Sequence, residues 1–187
     1  MIKSLIKLHL GCWKRNIPGF TNVDICDLPH VHHRRSAEDL SVFPTNSAEL
    51  IYASHVFEYF DRQEAEKVLR EWHRVLVPGG TLRIAVPDFS ALIKVYKKYG
   101  NLEKILGPLY GRMAVAAKKG EKIIYHKTVY DFKSLKALLE SSGFKNARRY
   151  DWKKTIHKDY DDHSQAYVPH MDKERGLLIS LNVEAKK

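Results

Sequence analysis

Residues 6–25, IKLHLGCWKRNIPGFTNVDI, contain the pattern that decides the fold of this chain. The apolar run at 6–10 is typical of a buried strand, and Gly11 ends it in a turn. A second short strand is predicted at 21–25. The ten residues between the two strands include Pro18-Gly19 and are too few for a full crossover helix. We therefore expect two neighbouring strands joined by a loop with at most one helical turn.

The rest of the chain alternates strand and helix patterns. Asp61 and Glu64 have the spacing of a capping box and predict the start of a helix. Two more helices are predicted at 89–99 and 131–142, and further strands at 50–54, 81–86, 147–152 and 177–185. This alternation predicts an α/β fold with a Rossmann-like, doubly wound, mostly parallel sheet. No helix separates the last two strands, so we expect the last strand to be antiparallel.

Length and composition indicate a single domain, residues 1–187, with segments at about 107–129 and 153–176 as loop-like insertions on the substrate side. The chain has two cysteines, no apolar run long enough for a membrane span and no signal-peptide pattern, which predicts a cytoplasmic protein without membrane contact. Nothing in the sequence predicts its oligomeric state.

The net charge of +10 is concentrated in one half of the chain. Residues 91–187 contain 21 Lys and Arg against 11 Asp and Glu, whereas the first 90 residues are balanced. A one-sided positive field favours an anionic partner, such as nucleic acid, a phosphorylated metabolite or an acidic sugar. A solvated basic surface without a specific partner explains the same charge equally well.

Five stretches of sequence, in this order, resemble a known family. They are LHLGCWKRNIPGFTNVDI, LIYASHVFEYF, VLREWHRVLVPGGTLRIAVPDFSALIKVY, DFKSLKALLESSGF and DDHSQAYVPHMDKERGLLISLNVEA. The first resembles motif I of class I S-adenosylmethionine (SAM)-dependent methyltransferases, in particular the short bacterial type that begins LHLGCG. The resemblance covers nearly the whole chain, and it implies the class I methyltransferase fold with S-adenosyl-L-methionine as the cofactor.

The resemblance implies a cofactor site at the carboxyl ends of the first three strands. Gly11 would let the backbone approach the ligand closely, and Asp24 would accept hydrogen bonds from two ribose hydroxyls. Ser36 stands where the family usually has Asp and can still form one hydrogen bond near the adenine. A simple turn at Gly11 and an Asx turn at Asp24 are the alternatives. The predicted cofactor-binding residues are Gly11, Cys12, Trp13, Asp24, Ser36 and Ala37.

Trp13 departs from the family pattern, which has glycine at this position. An indole there either overlaps the methionine half of the cofactor or lies beside the site, if the loop from Gly11 to Phe20 swings outward. Because Gly11 and Asp24 match the family pattern, we expect cofactor binding to be retained.

Methyl transfer needs the donor and the acceptor held in line, and sometimes a base. His55, Glu58 and His126 are the predicted catalytic residues. His55 and Glu58 follow the strand at 50–54, and His126 lies in the basic half. The structural alternatives are a packed histidine for His55, a carboxylate at a helix start for Glu58 and an exposed loop histidine for His126. The histidine-rich segments at 30–33 and 157–170 match no known ligand spacing, so no metal is expected.

These observations predict a SAM-dependent methyltransferase that acts on a small-molecule or carbohydrate-like acceptor, with an anionic acceptor among the options. One alternative is a catalytically inactive member that keeps the fold as a binding or partner protein, with Trp13 occluding the cofactor site. A second is an RNA methyltransferase that uses the basic half, since aromatic residues alternate there with lysines and arginines.

Overall fold

A computed structural model describes residues 5–116 and 121–187. The strands are β1 (Ile6–Leu10), β2 (Thr21–Asp24), β3 (His33–Arg34), β4 (Ala48–Ser54), β5 (Leu76–Pro87), β6 (Met113–Ala116), β7 (Glu121–Ile124), β8 (Lys145–Arg149), β9 (Tyr167–Val168), β10 (Leu177–Leu178) and β11 (Ser180–Lys186). Seven of them form one sheet in the order β3-β2-β1-β4-β5-β11-β8. β1 to β5 are parallel, and β11 runs antiparallel to both β5 and β8. The predicted Rossmann-like, mostly parallel sheet with an antiparallel last strand is confirmed.

Local signals predicted three of the described helices, whereas the short helix Glu103–Tyr110 was not predicted. The helices are α1 (Arg62–Val75), α2 (Phe89–Tyr99), α3 (Glu103–Tyr110) and α4 (Phe132–Ser141). Asp61 and Glu64 form the predicted capping box of α1, because the Asp61 side chain accepts from the N3 backbone and Glu64 accepts from the cap. Asp88 caps α2, and Gly100 ends it in the left-handed conformation. α1 and α4 pack on one face of the sheet and form the main core with it.

The opposite face of the sheet is polar and is covered by an irregular segment, residues 151–166. His9 of β1 and Tyr52 of β4 are buried there, and the His157 ring stacks on Tyr52 with 3.9 Å between ring centroids. The Tyr52 hydroxyl donates to Asp162 and so ties this segment to the sheet. Nδ1 of His9 and both ring nitrogens of His157 lack a hydrogen-bond partner in the described structure. The His9–Tyr52–His157 stack lies beside a small apolar cluster of Ile17, Phe20 and Leu50, which also contacts Tyr52.

Some predicted bounds were wrong. The strand expected at 147–152 is β8 at Lys145–Arg149, and Trp152 lies instead in a one-turn 3-10 helix. The strand expected at 177–185 divides in two, because Leu177 and Leu178 pair with β9 in a separate two-stranded sheet. The segment at 107–129 is not loop-like throughout, since it holds the end of α3 and the antiparallel β6–β7 pair. None of the described helices is long and apolar enough to cross a membrane.

Candidate active site

One large cavity opens at the carboxyl ends of β1, β2 and β4, with a volume of about 890 Å³. This is in the upper part of the range of small-molecule sites, roughly 300–1,000 Å³. Gly11, Trp13, Asp24, Ser36 and Ala37 line one end of it. The predicted site residues at three successive strand ends therefore meet in one cavity, and their roles in binding stay a prediction.

Asp24 organises the loop that follows β1. Its Oδ2 accepts from the backbone N–H of Trp13 at 2.7 Å, and its Oδ1 accepts from the backbone N–H of Cys26 at 2.8 Å. Each oxygen keeps a lone pair, because an ionised carboxylate offers about four acceptor positions. Gly11 beside it has φ +63°, and a Cβ there would stand 2.1 Å from the Val56 side chain. The backbone at Gly11 therefore requires glycine for its conformation and for its close contact.

The indole of Trp13 forms part of the cavity wall and is 39% exposed. The residue has φ +42°, which is uncommon outside glycine. The Trp13 carbonyl lies 2.6 Å from Nε2 of His30, and Lys14 and Arg15 lie over the indole ring. The indole thus lines the cavity with Lys14 and Arg15 packed over its ring.

Cys12 differs from the other predicted cofactor residues. Its side chain is 2% exposed and does not line the cavity. Burial, with the Asp24 carboxylate adding to it, raises the pKa of the Cys12 thiol to about 12. A thiol in that state stays protonated and packs as a small apolar group.

The three predicted catalytic residues are neighbours, but only two of them face the cavity. His55 and His126 line the cavity, whereas Glu58 is fully buried behind them and does not. Glu58 Oε1 lies 3.2 Å from Nδ1 of His55 and 3.7 Å from Nε2 of His126. Neither contact has hydrogen-bond alignment, so both carboxylate oxygens lack a hydrogen-bond partner among the described residues. His55 has φ +54°, a strained conformation of the kind that clusters at functional sites.

The far end of the cavity combines apolar and basic side chains. Lys104, Arg112 and His170 are exposed there. The apolar lining comes mostly from β6, β7 and the residues around β9: Met113, Val115, Ile124, Val168, Met171 and Ile179. Both predicted insertions contribute to this wall.

His163 is a functional candidate that the sequence did not single out. It lies on the one-turn 3-10 helix His163–Gln165 and lines the cavity beside His55, with 5.3 Å between the two ring centroids. Burial is the main cause that lowers the pKa of His163 below its ordinary value of 6.5. The segment around His163 is irregular and rich in acidic residues, so it has no helix or strand periodicity. The sequence therefore does not indicate which way the His163 side chain points.

Comparisons with known proteins agree with this architecture. Residues 20–84 match the family described as a methyltransferase domain. A SAM-dependent methyltransferase from Methanosarcina mazei superposes with a TM-score of 0.58 at 16% identity, covering 100% of this chain and 94% of that one. Another from Thermotoga maritima gives 0.56 at 15%, covering 100% and 84%. A third, from Archaeoglobus fulgidus, gives 0.56 at 16%, covering 99% and 87%.

No curated protein matches the sequence. At these identities the solved structures show a shared fold, and they confirm the predicted class I architecture. The finer likeness to the short LHLGCG type stays a prediction.

Proposed function

We propose that this chain, whose residues 20–84 match a methyltransferase domain and whose fold is that of class I methyltransferases, is a SAM-dependent methyltransferase with one class of acceptor. The acceptor is a small molecule with a negative charge and an apolar body. One observation carries this proposal: a single cavity of about 890 Å³ joins the Gly11–Asp24 end to a wall of basic and apolar side chains.

The residues at the Gly11–Asp24 end fit the cofactor, S-adenosyl-L-methionine. Asp24 is buried and fixed by two backbone N–H groups, yet it keeps lone pairs for ribose hydroxyls. Ser36 offers one hydroxyl, and Ala37 leaves room beside it. When bound, the cofactor supplies an electrophilic methyl group on a sulfonium. Trp13 does not oppose binding, because its indole stands in the wall; this argues against an inactive protein with an occluded site.

The acceptor end favours an anion. Asp24 is the sole acidic residue among the described residues that line the cavity, whereas Lys104 and Arg112 supply positive charge at the far end. The apolar side chains of β6 and β7 suit an aromatic or aliphatic body. A carbohydrate ring fits less well, since its hydroxyl groups would face that apolar wall without hydrogen-bond partners. The net charge of the half-chain 91–187 would also draw an anionic acceptor toward the site.

Calorimetric titration with S-adenosylhomocysteine, the demethylated product, tests the cofactor end by itself. The acceptor end is tested by measuring S-adenosylhomocysteine release with pairs of acceptors, each an aromatic or aliphatic acid and its neutral amide. We expect the acids to react faster at low salt, with the preference shrinking as salt screens the charges. Equal rates for acids and amides would contradict the anionic class while leaving the methyltransferase intact.

Arg112→Gln and Lys97→Gln form a matched pair of variants. Each removes one exposed positive charge, but Lys97 lies on α2 and does not line the cavity. Losing a charged contact costs about 1.5–3 kcal/mol, so Arg112→Gln should raise KM for the acid at least roughly tenfold. Lys97→Gln should leave it unchanged. Equal shifts in both variants would mean that the long-range field, and not a contact, selects the acceptor.

A further inference from the structure

The hydrogen bonds of β11 fix which ring nitrogen of His55 carries a proton. Asn182 Nδ2 donates to the Ser164 carbonyl at 2.9 Å, which leaves Oδ1 of Asn182 facing Ser180. The Ser180 hydroxyl donates to that oxygen at 3.0 Å. Its own oxygen can then only accept from Nε2–H of His55, 3.1 Å away. In this tautomer Nδ1 of His55 carries no proton and faces Oε1 of Glu58 at 3.2 Å, while Nε2 is engaged by Ser180.

His126 is fixed in the opposite tautomer. Its Nδ1 lies 3.0 Å from the carbonyl oxygen of Pro108, which can only accept, so Nδ1 carries the proton. Nε2 is left with a lone pair that faces Glu58. Gly111 packs directly against this nitrogen, since a Cβ on Gly111 would stand 1.8 Å from it. An acceptor therefore has no direct path to the basic nitrogen of His126.

Glu58 is fully buried behind the two rings, and both of its carboxylate oxygens lack a hydrogen-bond partner among the described residues. Its Oε1 faces Nδ1 of His55 and Nε2 of His126. Glu58, His55 and His126 therefore lie against one another, with His55 held by Ser180 and His126 held by Pro108.

His163 is the remaining histidine of this wall. Among the described residues, no hydrogen-bond partner engages either of its ring nitrogens, and the ring is exposed to the cavity. The groups that act on it are His55 and Arg15, which disfavour its protonation, and Asp162 and Glu58, which favour it. Burial outweighs the two carboxylates and lowers the pKa of His163 below 6.5, so the imidazole is neutral at pH 7.

We propose that His163 is the base that removes the proton of an acceptor hydroxyl, and that Glu58, His55 and His126 are positioning residues that hold the wall beside it. This rests on the methyltransferase function proposed above. The O–H bond of the acceptor breaks, and its proton moves to a ring nitrogen of His163. The oxygen forms a bond to the methyl group, whose bond to sulfur breaks with its electron pair left on sulfur. A hydroxyl needs such a base, whereas a neutral amine attacks without one, so the proposed acceptor atom is oxygen.

Ring-nitrogen NMR of 15N-histidine-labelled protein with bound S-adenosylhomocysteine tests the assignment without an acceptor. We expect His163 to titrate with a midpoint below 6.5, and His55 to show the Nε2–H tautomer that its contact with Ser180 requires. His163→Gln assigns the signal by removing it. A His163 ring with one fixed tautomer and no titration, or a His55 ring with its proton on Nδ1, would overturn the proposal even though the cofactor binds.

Activity gives the second readout. With a hydroxyl acceptor, His163→Gln should lower kcat by about 100-fold or more, the range of a lost general base, and leave the affinity for S-adenosylhomocysteine unchanged. His73→Gln is the matched control, because His73 lies on α1 against Phe144 and away from the cavity. A kcat for His163→Gln equal to that of His73→Gln would refute the role. A wild-type protein that does not bind S-adenosylhomocysteine would instead refute the proposed function.

Discussion

Gly111→Ala should destabilise the protein more than the same change at Gly100, although the two glycines have equivalent backbones. Gly100 ends α2 and Gly111 ends α3, with φ of +60° and +52°. Each donates its backbone N–H to the residue four positions earlier at 2.8 Å. They differ in what an added Cβ meets, which is nothing within 4 Å at Gly100 but the ring of His126 at 1.8 Å at Gly111.

The difference between the two variants can be worked from these contacts. Alanine in the left-handed conformation costs about 1–2 kcal/mol at either position. At Gly111 the His126 ring must also move away. It would lose its hydrogen bond to Pro108, about 1 kcal/mol, and its edge contact with Tyr59, about 0.5–1.5 kcal/mol. We therefore expect an extra loss of roughly 1.5–2.5 kcal/mol for Gly111→Ala.

Thermal unfolding measures that loss, since each kcal/mol shifts Tm by about 2–4 °C in a chain of this size. Gly111→Ala should melt roughly 3–10 °C below Gly100→Ala. NMR of the His126 ring checks the cause, because its Nδ1–H signal should change in Gly111→Ala alone. Equal melting temperatures would show that the His126 ring moves without loss of stability and that Gly111 does not hold His126 in place.

Three further predictions follow from the site and from the polar face of the sheet. Asp24→Ala should weaken S-adenosylhomocysteine binding by about 1–3 kcal/mol, because ribose hydroxyls lose their acceptor; unchanged calorimetric titrations would remove Asp24 from the cofactor site. Trp13→Gly should change that affinity by less than about threefold, since the indole stands in the wall; a tenfold gain would instead show that Trp13 occludes the site. Burial lowers the pKa of both His9 and His157 to about 4, below the ordinary 6.5. The unfolded chain thus binds more protons between about pH 6.5 and 4, and the free energy of unfolding should fall as pH drops through that range. Urea unfolding of His157→Gln should show a shallower fall, and an unchanged slope would count against this cause.

Local signals explain why most of the fold could be predicted. The Asp61–Glu64 capping box and the stop at Gly100 act within one helical turn, so the sequence alone places the ends of α1 and α2. The β9–β10 pair was missed because each strand has only two residues, which is too short for an alternation of apolar and polar positions to be recognised. Trp152 has the apolar character of a strand residue, but it is buried from a 3-10 turn instead.

The candidate site was predictable to the same extent. Strand ends carried Gly11, Asp24 and His55 to one edge of the sheet, as parallel topology requires. The division between Glu58 behind the wall and His163 in front of it was not predictable. The position of His163 follows from Asp162, which caps the 3-10 turn His163–Gln165 and is tied to Tyr52 by a hydrogen bond between residues 110 positions apart. No local pattern reports such a contact.

The irregular segment at 151–166 links the evolvability of this protein to its stability. Its inward side chains, His157 and Asp162 among them, are buried on the polar sheet face, while His163 and Ala166 on the same short stretch line the cavity. Selection for a new acceptor would act first on those cavity positions and would shift the backbone that seals the sheet. Because proteins sit only slightly above their stability threshold, variants with altered specificity should need compensating substitutions elsewhere, and a stabilised parent would be the better starting point for directed evolution.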